Sequence, residues 1–250
     1  MKLLKSKKAI LAIWIFLGFA LVAPAPGFGA DVDIYGEGVV AEDELTVYLY
    51  ADLYVDNLVS YGIKLTYDPG ALTVIDASKD LDPIPYTSNG TKWYLGNGSA
   101  SYRNNPEPDV ATPGEVILIG GKLDPADPEK GVSGGTRIFL GMVTFQADDG
   151  EIPLNPLLTL SYAKGDGTSS YKNFVRLDDQ VPQVLDGTSV SFGSVVVLPL
   201  GDGDGNGSVT PRDINVIKSN IGNANAPCYM DCDGNGTLSP RDANCVKTKL

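Results

Sequence analysis

The last fifty residues of this 250-residue chain contain one acidic, glycine-interrupted dodecapeptide twice. The first copy, DGDGNGSVTPRD, occupies 202–213, and the second, DCDGNGTLSPRD, occupies 231–242, 29 residues further along. Ten of the 20 positions aligned from Asp202 and Asp231 are identical, which indicates an internal repeat. A segment this small cannot bury a sufficient hydrophobic core. We therefore expect a bound cation to hold it folded.

Each copy has the spacing of a calcium-binding loop, with oxygen-bearing residues at alternate positions and glycine at the sixth (Gly207 and Gly236), where the backbone must turn sharply. Ca²⁺ accepts about six to eight oxygen ligands in loose geometry, whereas Mg²⁺ requires a tight octahedron. The sequence thus predicts two Ca²⁺ ions. The predicted ligands are Asp202, Asp204, Asn206, Ser208 (backbone carbonyl), Thr210 (through water) and Asp213 in the first loop, and Asp231, Asp233, Asn235, Thr237 (backbone carbonyl), Ser239 (through water) and Asp242 in the second.

A helix is predicted to start from each loop. Thr210 and Ser239 are residue types that favour a helix N-cap, and each is followed by proline and, two residues later, by aspartate. Apolar residues then recur on one face, through which we expect the two helices to pack antiparallel. These apolar positions are Ile214, Ile217 and Ile221 in the first repeat, and Ala243, Val246 and Leu250 in the second.

Residues 1–30 have the layout of a secretory signal peptide. Four lysines precede an unbroken apolar run over 9–22, and small residues and prolines follow. The run is short for a bilayer span. We predict a secreted, extracellular protein with no stable membrane span after cleavage; an uncleaved N-terminal anchor is the alternative.

Charge and composition exclude several functions. Residues 31–200 contain 25 acidic and 10 basic residues, a net charge of −15, which makes nucleic acid a poor partner. The chain has no histidine, which excludes histidine-based triads, general bases and zinc sites. The acids of this region lie mostly in turns such as 124–129, so we expect no enzymatic activity.

Residues 31–197 have the pattern of a β-sandwich. Alternating or wholly apolar segments are separated by clusters of Gly, Pro, Asn and Asp, and about nine strands can close two sheets. Residues 198–201 form a short linker to the repeat region at 202–250, hereafter the tail. The clearest predicted strands lie at 45–51, 61–67, 114–122, 137–147, 157–163 and 189–197.

All three cysteines, Cys228, Cys232 and Cys245, lie in the tail. In an exported protein this number indicates one disulfide and one remaining thiol. The spacing does not choose among the three pairings.

The paired loop-and-helix units resemble a type I dockerin, a calcium-binding module of two half-EF-hands that docks onto a cohesin domain. The resemblance covers nearly all of 201–250. It implies a cohesin-bearing partner and two nearly equivalent docking faces. The implied partner-binding residues are Pro211, Arg212, Lys218 and Ser219 on one face and Pro240, Arg241, Lys247 and Thr248 on the other. In well-known dockerins a Ser/Thr pair occupies positions 10 and 11 of the loop, where this chain has Pro-Arg in both copies, and so the class of partner stays open.

The first region resembles a cohesin. GIKLTYDPGALTVIDA at 62–77 and GTRIFLGMVTFQA at 135–147 are similar to two strand signatures of that family. The resemblance implies a jelly-roll β-sandwich that receives a dockerin-bearing protein on one sheet face. The alternative is a carbohydrate-binding module, in which Trp93, Tyr94, Tyr102 and Tyr171 form a platform for sugar rings; packing of these side chains in the core is the competing interpretation.

Together these features predict a secreted, non-catalytic adaptor of a polysaccharide-degrading complex. Its dockerin would bind calcium and a cohesin-bearing protein, and its sandwich would bind a dockerin-bearing protein. In the alternative, the sandwich targets such a complex to polysaccharide.

Overall fold

The computed structural model describes residues 29–79, 81–89, 93, 108–121, 131–153, 156–163, 174–179 and 181–250. In this part of the chain ten strands form two sheets, followed by two short helices. The predicted β-sandwich with a small helical C-terminal region is confirmed. None of the helices in the described ranges combines the length and the apolar character needed to cross a bilayer.

The first sheet has the order β10-β1-β2-β6-β4, in which β10 pairs parallel with β1 and the other pairs are antiparallel. In the second sheet β3 pairs with β5, β7 and β8, and β8 pairs with β9, all antiparallel. The strands are β1 Val32–Ala41, β2 Glu44–Leu53, β3 Leu58–Thr66, β4 Leu72–Ser78, β5 Glu115–Gly121, β6 Gly135–Ala147, β7 Thr159–Tyr162, β8 Phe174–Asp178, β9 Val181–Leu185 and β10 Val190–Pro199.

The core lies between the sheets and is built by every second residue of most strands. Leu45, Val47 and Leu49 of β2 and Ile63 and Leu65 of β3 are fully buried in it, as the two-residue period of a strand requires. Strand β6 is buried on both faces along most of its length. The strand is apolar on both faces because residues 81–86 and the tail cover its outer side.

The tail contains helix α1 (Pro211–Asn220), a 3-10 turn (Cys228–Met230) and helix α2 (Pro240–Lys249). Both helices begin as predicted, with Thr210 and Ser239 as N-caps and a reciprocal capping box to the aspartate at the third helical position. Ile217, Ala243 and Val246 pack in a small core between them.

Two residues of the predicted apolar faces do not join this core. Ile221 is 40% exposed and Leu250 is 57% exposed. Ile221 is the C-cap of α1, where the backbone leaves the helical conformation, and Leu250 lies past the end of α2 as the last residue. Helical periodicity does not hold at such positions.

The sandwich and the tail are joined without a loose segment. Leu198 and Pro199, which begin the predicted linker, are the last residues of β10 and pair with Val39 and Val40 of β1. The amide of Gly201 then donates to the carbonyl of Tyr229 at 2.7 Å. Cys232 and Cys245 form the disulfide, with Cα atoms 5.8 Å apart, and Cys228 is a buried thiol.

Candidate calcium loops and their contact with the sandwich

Glycines give both loops their shape. Gly205 and Gly207 in the first loop have φ values of +70° and +87°, and Gly234 and Gly236 in the second have +68° and +86°. Residues with a Cβ rarely adopt this left-handed conformation. The glycines let the chain fold back so that the first and last residues of each dodecapeptide come together.

In the first loop Asp202 and Asp213 are fully buried, and backbone amides bind both. The two oxygens of Asp202 accept hydrogen bonds from the amides of Asn206 and Gly207 at 3.1 and 2.6 Å. Asp213 accepts from the amide of Asp204 at 2.9 Å and from the amide of Thr210 at 2.6 Å. These bonds fix the directions in which the carboxylates point.

The second loop repeats this arrangement. Asp231 accepts from the amides of Asn235 and Gly236 at 3.3 and 2.6 Å. Asp242 accepts from the amides of Asp233 and Ser239 at 3.2 and 2.8 Å. The sequence repeat is therefore also a geometric repeat.

Each loop gathers three carboxylates whose oxygens lie within 4.8 Å of one another: Asp202, Asp204 and Asp213 in the first and Asp231, Asp233 and Asp242 in the second. Burial, together with the charges of Asp213 and Asp204, raises the pKa of Asp202. Burial and the nearby Asp242 raise the pKa of Asp231 to about 6. Burial also acts on Asp213 and Asp242, but the amide hydrogen bonds outweigh it and lower the pKa of each.

One oxygen of the first loop suits a cation directly. Oδ1 of Asp204 is buried and has no hydrogen-bond partner, whereas buried polar atoms are normally paired. An anionic, oxygen-only cluster with such an unpaired oxygen fits Ca²⁺. Asp202, Asp204 and Asp213 would hold one ion and Asp231, Asp233 and Asp242 another, each ion supplying the positive charge that the clustered carboxylates lack.

The asparagine and hydroxyl side chains among the predicted ligands form hydrogen bonds within their own loops. Oδ1 of Asn206 and of Asn235 accepts the amide of Ser208 and of Thr237, at 2.9 and 3.1 Å. The hydroxyls of Thr210 and Ser239 donate to the carboxylates of Asp213 and Asp242. Each hydroxyl therefore braces the last aspartate of its loop.

The predicted partner-binding residues all lie on the surface of the tail. Arg212 and Arg241 are the most notable, because their side chains are 78% and 80% exposed and each forms an ion pair with position 3 of its own loop. The Nε–Oδ2 distances are 3.1 Å to Asp204 and 3.3 Å to Asp233. The exposed members of the two faces are Pro211, Arg212, Lys218, Ser219, Pro240, Arg241, Lys247 and Thr248.

The tail lies against the outer face of the first sheet, a contact that the sequence analysis did not predict. Arg137 of β6 forms a buried ion pair with Glu37 of β1, and Glu37 accepts the amide of Cys228 at 3.2 Å. Val39, Tyr86 and Cys228 form an apolar cluster beside this pair. A charged residue inside an apolar strand segment, such as Arg137 in GTRIFLGMVTFQA or Glu37 in VDIYGEGVVA, is a signal of this contact in the sequence.

The sandwich also contacts the second loop and the segment that precedes it. The hydroxyl of Tyr86 donates to Oδ2 of Asp231 at 2.8 Å, and the amide of Ser88 donates to Oδ1 of Asn225 at 2.7 Å. A cleft of about 590 Å³ opens next to this contact, between residues 81–87 and residues 222–238. We call the set Glu37, Tyr86, Arg137 and residues 225–231 the module interface.

The alternative prediction that Trp93 belongs to a sugar-binding aromatic platform is wrong. This side chain is 7% exposed, packs edge-on against Tyr61 with ring centroids 4.8 Å apart, and donates from Nε1 to the carbonyl of Phe139 at 2.8 Å. Its indole fills the core, so it cannot stack on a sugar. Tyr94, Tyr102 and Tyr171 lie outside the described residues.

No family model matches this chain, and no curated protein matches it. Solved structures similar to it are cohesin modules. The seventh ScaB type I cohesin from Pseudobacteroides cellulosolvens is 17% identical, with a TM-score of 0.41, over 66% of this chain and 91% of that one. CaCohA2 from Clostridium acetobutylicum is 16% identical, with a TM-score of 0.41, over 67% and 92%. A type I cohesin–dockerin complex, Coh-OlpC-Doc435 from Clostridium thermocellum, is 16% identical, with a TM-score of 0.36, over 67% and 89%.

Proposed function

We propose that this chain is a secreted, non-catalytic adaptor that assembles proteins in a calcium-dependent way. The tail acts as a dockerin, binds two Ca²⁺ ions and presents duplicated faces to a cohesin-bearing partner. The sandwich acts as a cohesin and receives a dockerin-bearing protein. Complexes that degrade polysaccharides outside the cell are the proposed setting.

The observation that carries this proposal is the pair of carboxylate clusters with matching geometry. In both loops the first and last aspartates are buried and held by amides of the same loop positions. Clustered, buried carboxylates repel one another, so that without a cation they oppose folding of the tail. Ion binding accounts for the presence of two such carboxylate clusters, which would otherwise destabilise the tail.

The docking role is supported by what the module interface leaves uncovered. The tail contacts the sandwich through residues 225–231, between the two helices. The residues of both proposed docking faces remain on the surface. A partner could therefore bind either face while the tail stays in place on the sandwich.

The receptor role is supported by the second sheet. In the described part of the chain, the tail packs against the outer face of the first sheet, around Val39 and Tyr48. On β5, Val116 and Leu118 point into the core, so that Ile117 and Ile119 alternate to the outer face and are partly exposed. We propose this outer face of the second sheet as the surface that receives a dockerin.

Export is supported by two features. The lysine-rich start and apolar run of residues 1–30 have the layout of a signal peptide. The Cys232–Cys245 disulfide is typical of proteins that fold in an oxidising compartment.

Calcium titration of the full chain tests the first half of the proposal. Isothermal calorimetry on chelator-treated protein should give two sites, and far-ultraviolet circular dichroism should gain helical signal as calcium is added. Asp204→Asn and Asp233→Asn should each weaken one site, while Asp178→Asn, at an exposed sandwich position, should weaken neither. Absence of calcium binding at millimolar concentration would contradict the proposal.

Capture on immobilised type I dockerins tests the second half. Ile117→Lys should abolish capture, because a charge replaces an apolar group on the outer face of the second sheet. The matched control is Ile75→Lys, at a 47% exposed position of β4 in the other sheet, which should be captured like the unmodified chain. Retention on cellulose, chitin or xylan without any dockerin binding would instead support the carbohydrate-binding alternative.

A further inference from the structure

The first aspartate of the second loop makes a contact that its counterpart in the first loop lacks. The hydrogen bonds to the carboxylate of Asp202 in the first loop come from two amides of that loop. The equivalent Asp231 in the second loop has the same two bonds and a third, from the hydroxyl of Tyr86 in the sandwich, 145 residues away in sequence.

Tyr86 is firmly held where it makes this contact. It is 8% exposed, and its ring packs edge-on against Tyr48 with centroids 5.2 Å apart. Its carbonyl accepts a hydrogen bond from Nε of Arg137 at 2.6 Å. Its backbone has a φ of +57°, a conformation that a bulky residue keeps only when its surroundings impose it.

The same arginine fixes the other side of the module interface. Arg137 binds both carboxylate oxygens of Glu37 at 2.5 and 2.7 Å, and Glu37 accepts the amide of Cys228. Cys228 precedes Asp231 by three residues, in the 3-10 turn that leads directly into the second loop. One polar network thus joins two strands of the sandwich to the start of this loop.

We propose that Tyr86 is a positioning residue of the second calcium site, so that calcium binding there and closure of the tail on the sandwich are one coupled step, whereas the first loop binds calcium independently of the sandwich. This inference rests on the proposed calcium binding by the tail. Oδ2 of Asp231, bound by Tyr86 and by the amide of Gly236, is the oxygen that the network fixes. The long 3.3 Å bond from Asn235 leaves Oδ1 the more available oxygen for an ion.

Coupling follows because the contact and the ion share one carboxylate. Without calcium, the buried Asp231 and Asp242 repel each other, and opening of the second loop would let both regain water. Such opening breaks the Tyr86 contact and loosens residues 225–231 from the sandwich. By linkage, a contact that calcium strengthens must strengthen calcium binding by the same factor.

Cys228 provides an internal probe of closure. Its thiol is fully buried in the module interface, and the other two cysteines form the disulfide. Alkylation by a maleimide, followed by intact mass measurement of the full chain under native conditions, reports release of the tail. We expect protection of Cys228 in calcium and labelling in chelator.

Variants separate the two loops. Asp231→Asn should allow labelling of Cys228 even in calcium, and its repeat-equivalent control, Asp202→Asn, should keep Cys228 protected. Tyr86→Phe, which leaves both ligand sets intact, should weaken one of the two calorimetric sites by about 10- to 100-fold, the usual effect of losing a residue that orients a metal ligand. Tyr54→Phe, which removes an exposed tyrosine hydroxyl bound to Asp33, should change neither site.

The outcomes distinguish this inference from the function on which it rests. If neither loop bound calcium, the proposed function would fail. If both loops bound calcium but Tyr86→Phe left both affinities unchanged, or weakened both equally, the inference would be overturned while calcium binding stood. Equal protection of Cys228 in calcium and in chelator would overturn it as well.

Discussion

Arg137 and Glu37 form a two-pronged ion pair beneath the tail, with Nη1–Oε1 and Nη2–Oε2 distances of 2.5 and 2.7 Å. The guanidinium also lies 4.4 Å from the centroid of the Tyr50 ring. Both side chains are largely buried. If one partner were removed, little water could reach the charge of the other.

Replacement of Arg137 should therefore destabilise the chain strongly. Arg137→Leu leaves the Glu37 carboxylate buried without its partner, which costs about 3–5 kcal/mol. Urea denaturation in calcium should show this loss. The control is Arg176→Leu, which removes a 3.5 Å ion pair to the 62% exposed side chain of Asp178 and should cost less than about 1 kcal/mol. Equal losses for the two variants would contradict the structural importance of the buried pair.

Acidification should weaken calcium binding by the second loop. Burial and Asp242 raise the pKa of Asp231 to about 6 in the metal-free protein, so below that pH calcium must displace a proton. We expect nearly constant affinity from pH 7.5 to 6.5, and below pH 6 a decrease approaching about tenfold per pH unit. Calorimetry across this range measures it.

Acidification, which weakens calcium binding, should by contrast remove a destabilising contribution from the metal-free protein. A carboxyl group with a pKa raised on folding binds its proton more tightly in the folded state, so its contribution opposes folding at neutral pH. That contribution diminishes as the pH falls through 6 toward the unfolded value of about 3.9. In chelator, Asp231→Asn should remove this component of the pH dependence of the melting temperature; an unchanged profile would contradict the assignment.

Each docking face should be able to bind the partner when the other face is disabled. Because Arg212 and Arg241 occupy repeat-equivalent, exposed positions, Arg212→Ala and Arg241→Ala should each keep partner binding within about threefold, a loss below 1 kcal/mol. The double variant should lose binding, as surface plasmon resonance on an immobilised cohesin would show. Calcium affinity should not decrease in any of these variants. Loss of binding in either single variant would contradict dual docking.

One disulfide should stabilise the tail. Cys232 and Cys245 are 13 positions apart, and closing a loop of this size stabilises a fold by about 3 kcal/mol. Denatured, unreduced protein should react with one equivalent of thiol reagent, and peptide mapping should place the label on Cys228. The variant Cys228→Ala should keep the disulfide. Two or more reactive thiols per chain, or a disulfide that includes Cys228, would contradict the pairing.

Trp93 should matter for stability and not for sugar binding. Trp93→Phe removes the Nε1 donor to the buried carbonyl of Phe139, which should cost about 1–3 kcal/mol. Retention on polysaccharide columns should be the same for variant and unmodified chain. A variant of normal stability that lost retention would restore the platform hypothesis.

Local patterns in the sequence determined the strands that contain most of the core and the starts of both helices. The capping boxes at Thr210 and Ser239 were predictable because every atom involved lies within four residues of the cap. The gathering of Asp202, Asp204 and Asp213 followed from spacing for the same reason, since glycines fold one short loop back on itself.

The tertiary structure alone decided which distant residues meet. Cys228, Cys232 and Cys245 allowed three pairings, and only the positions of the 3-10 turn and helix α2 selected one. Trp93 entered the core because Tyr61 and Phe139 surround it. Glu37, Tyr86, Arg137 and Cys228 lie far apart in sequence, and their contact depends on the packing of two sheets and a tail, which no period of two or 3.6 residues encodes.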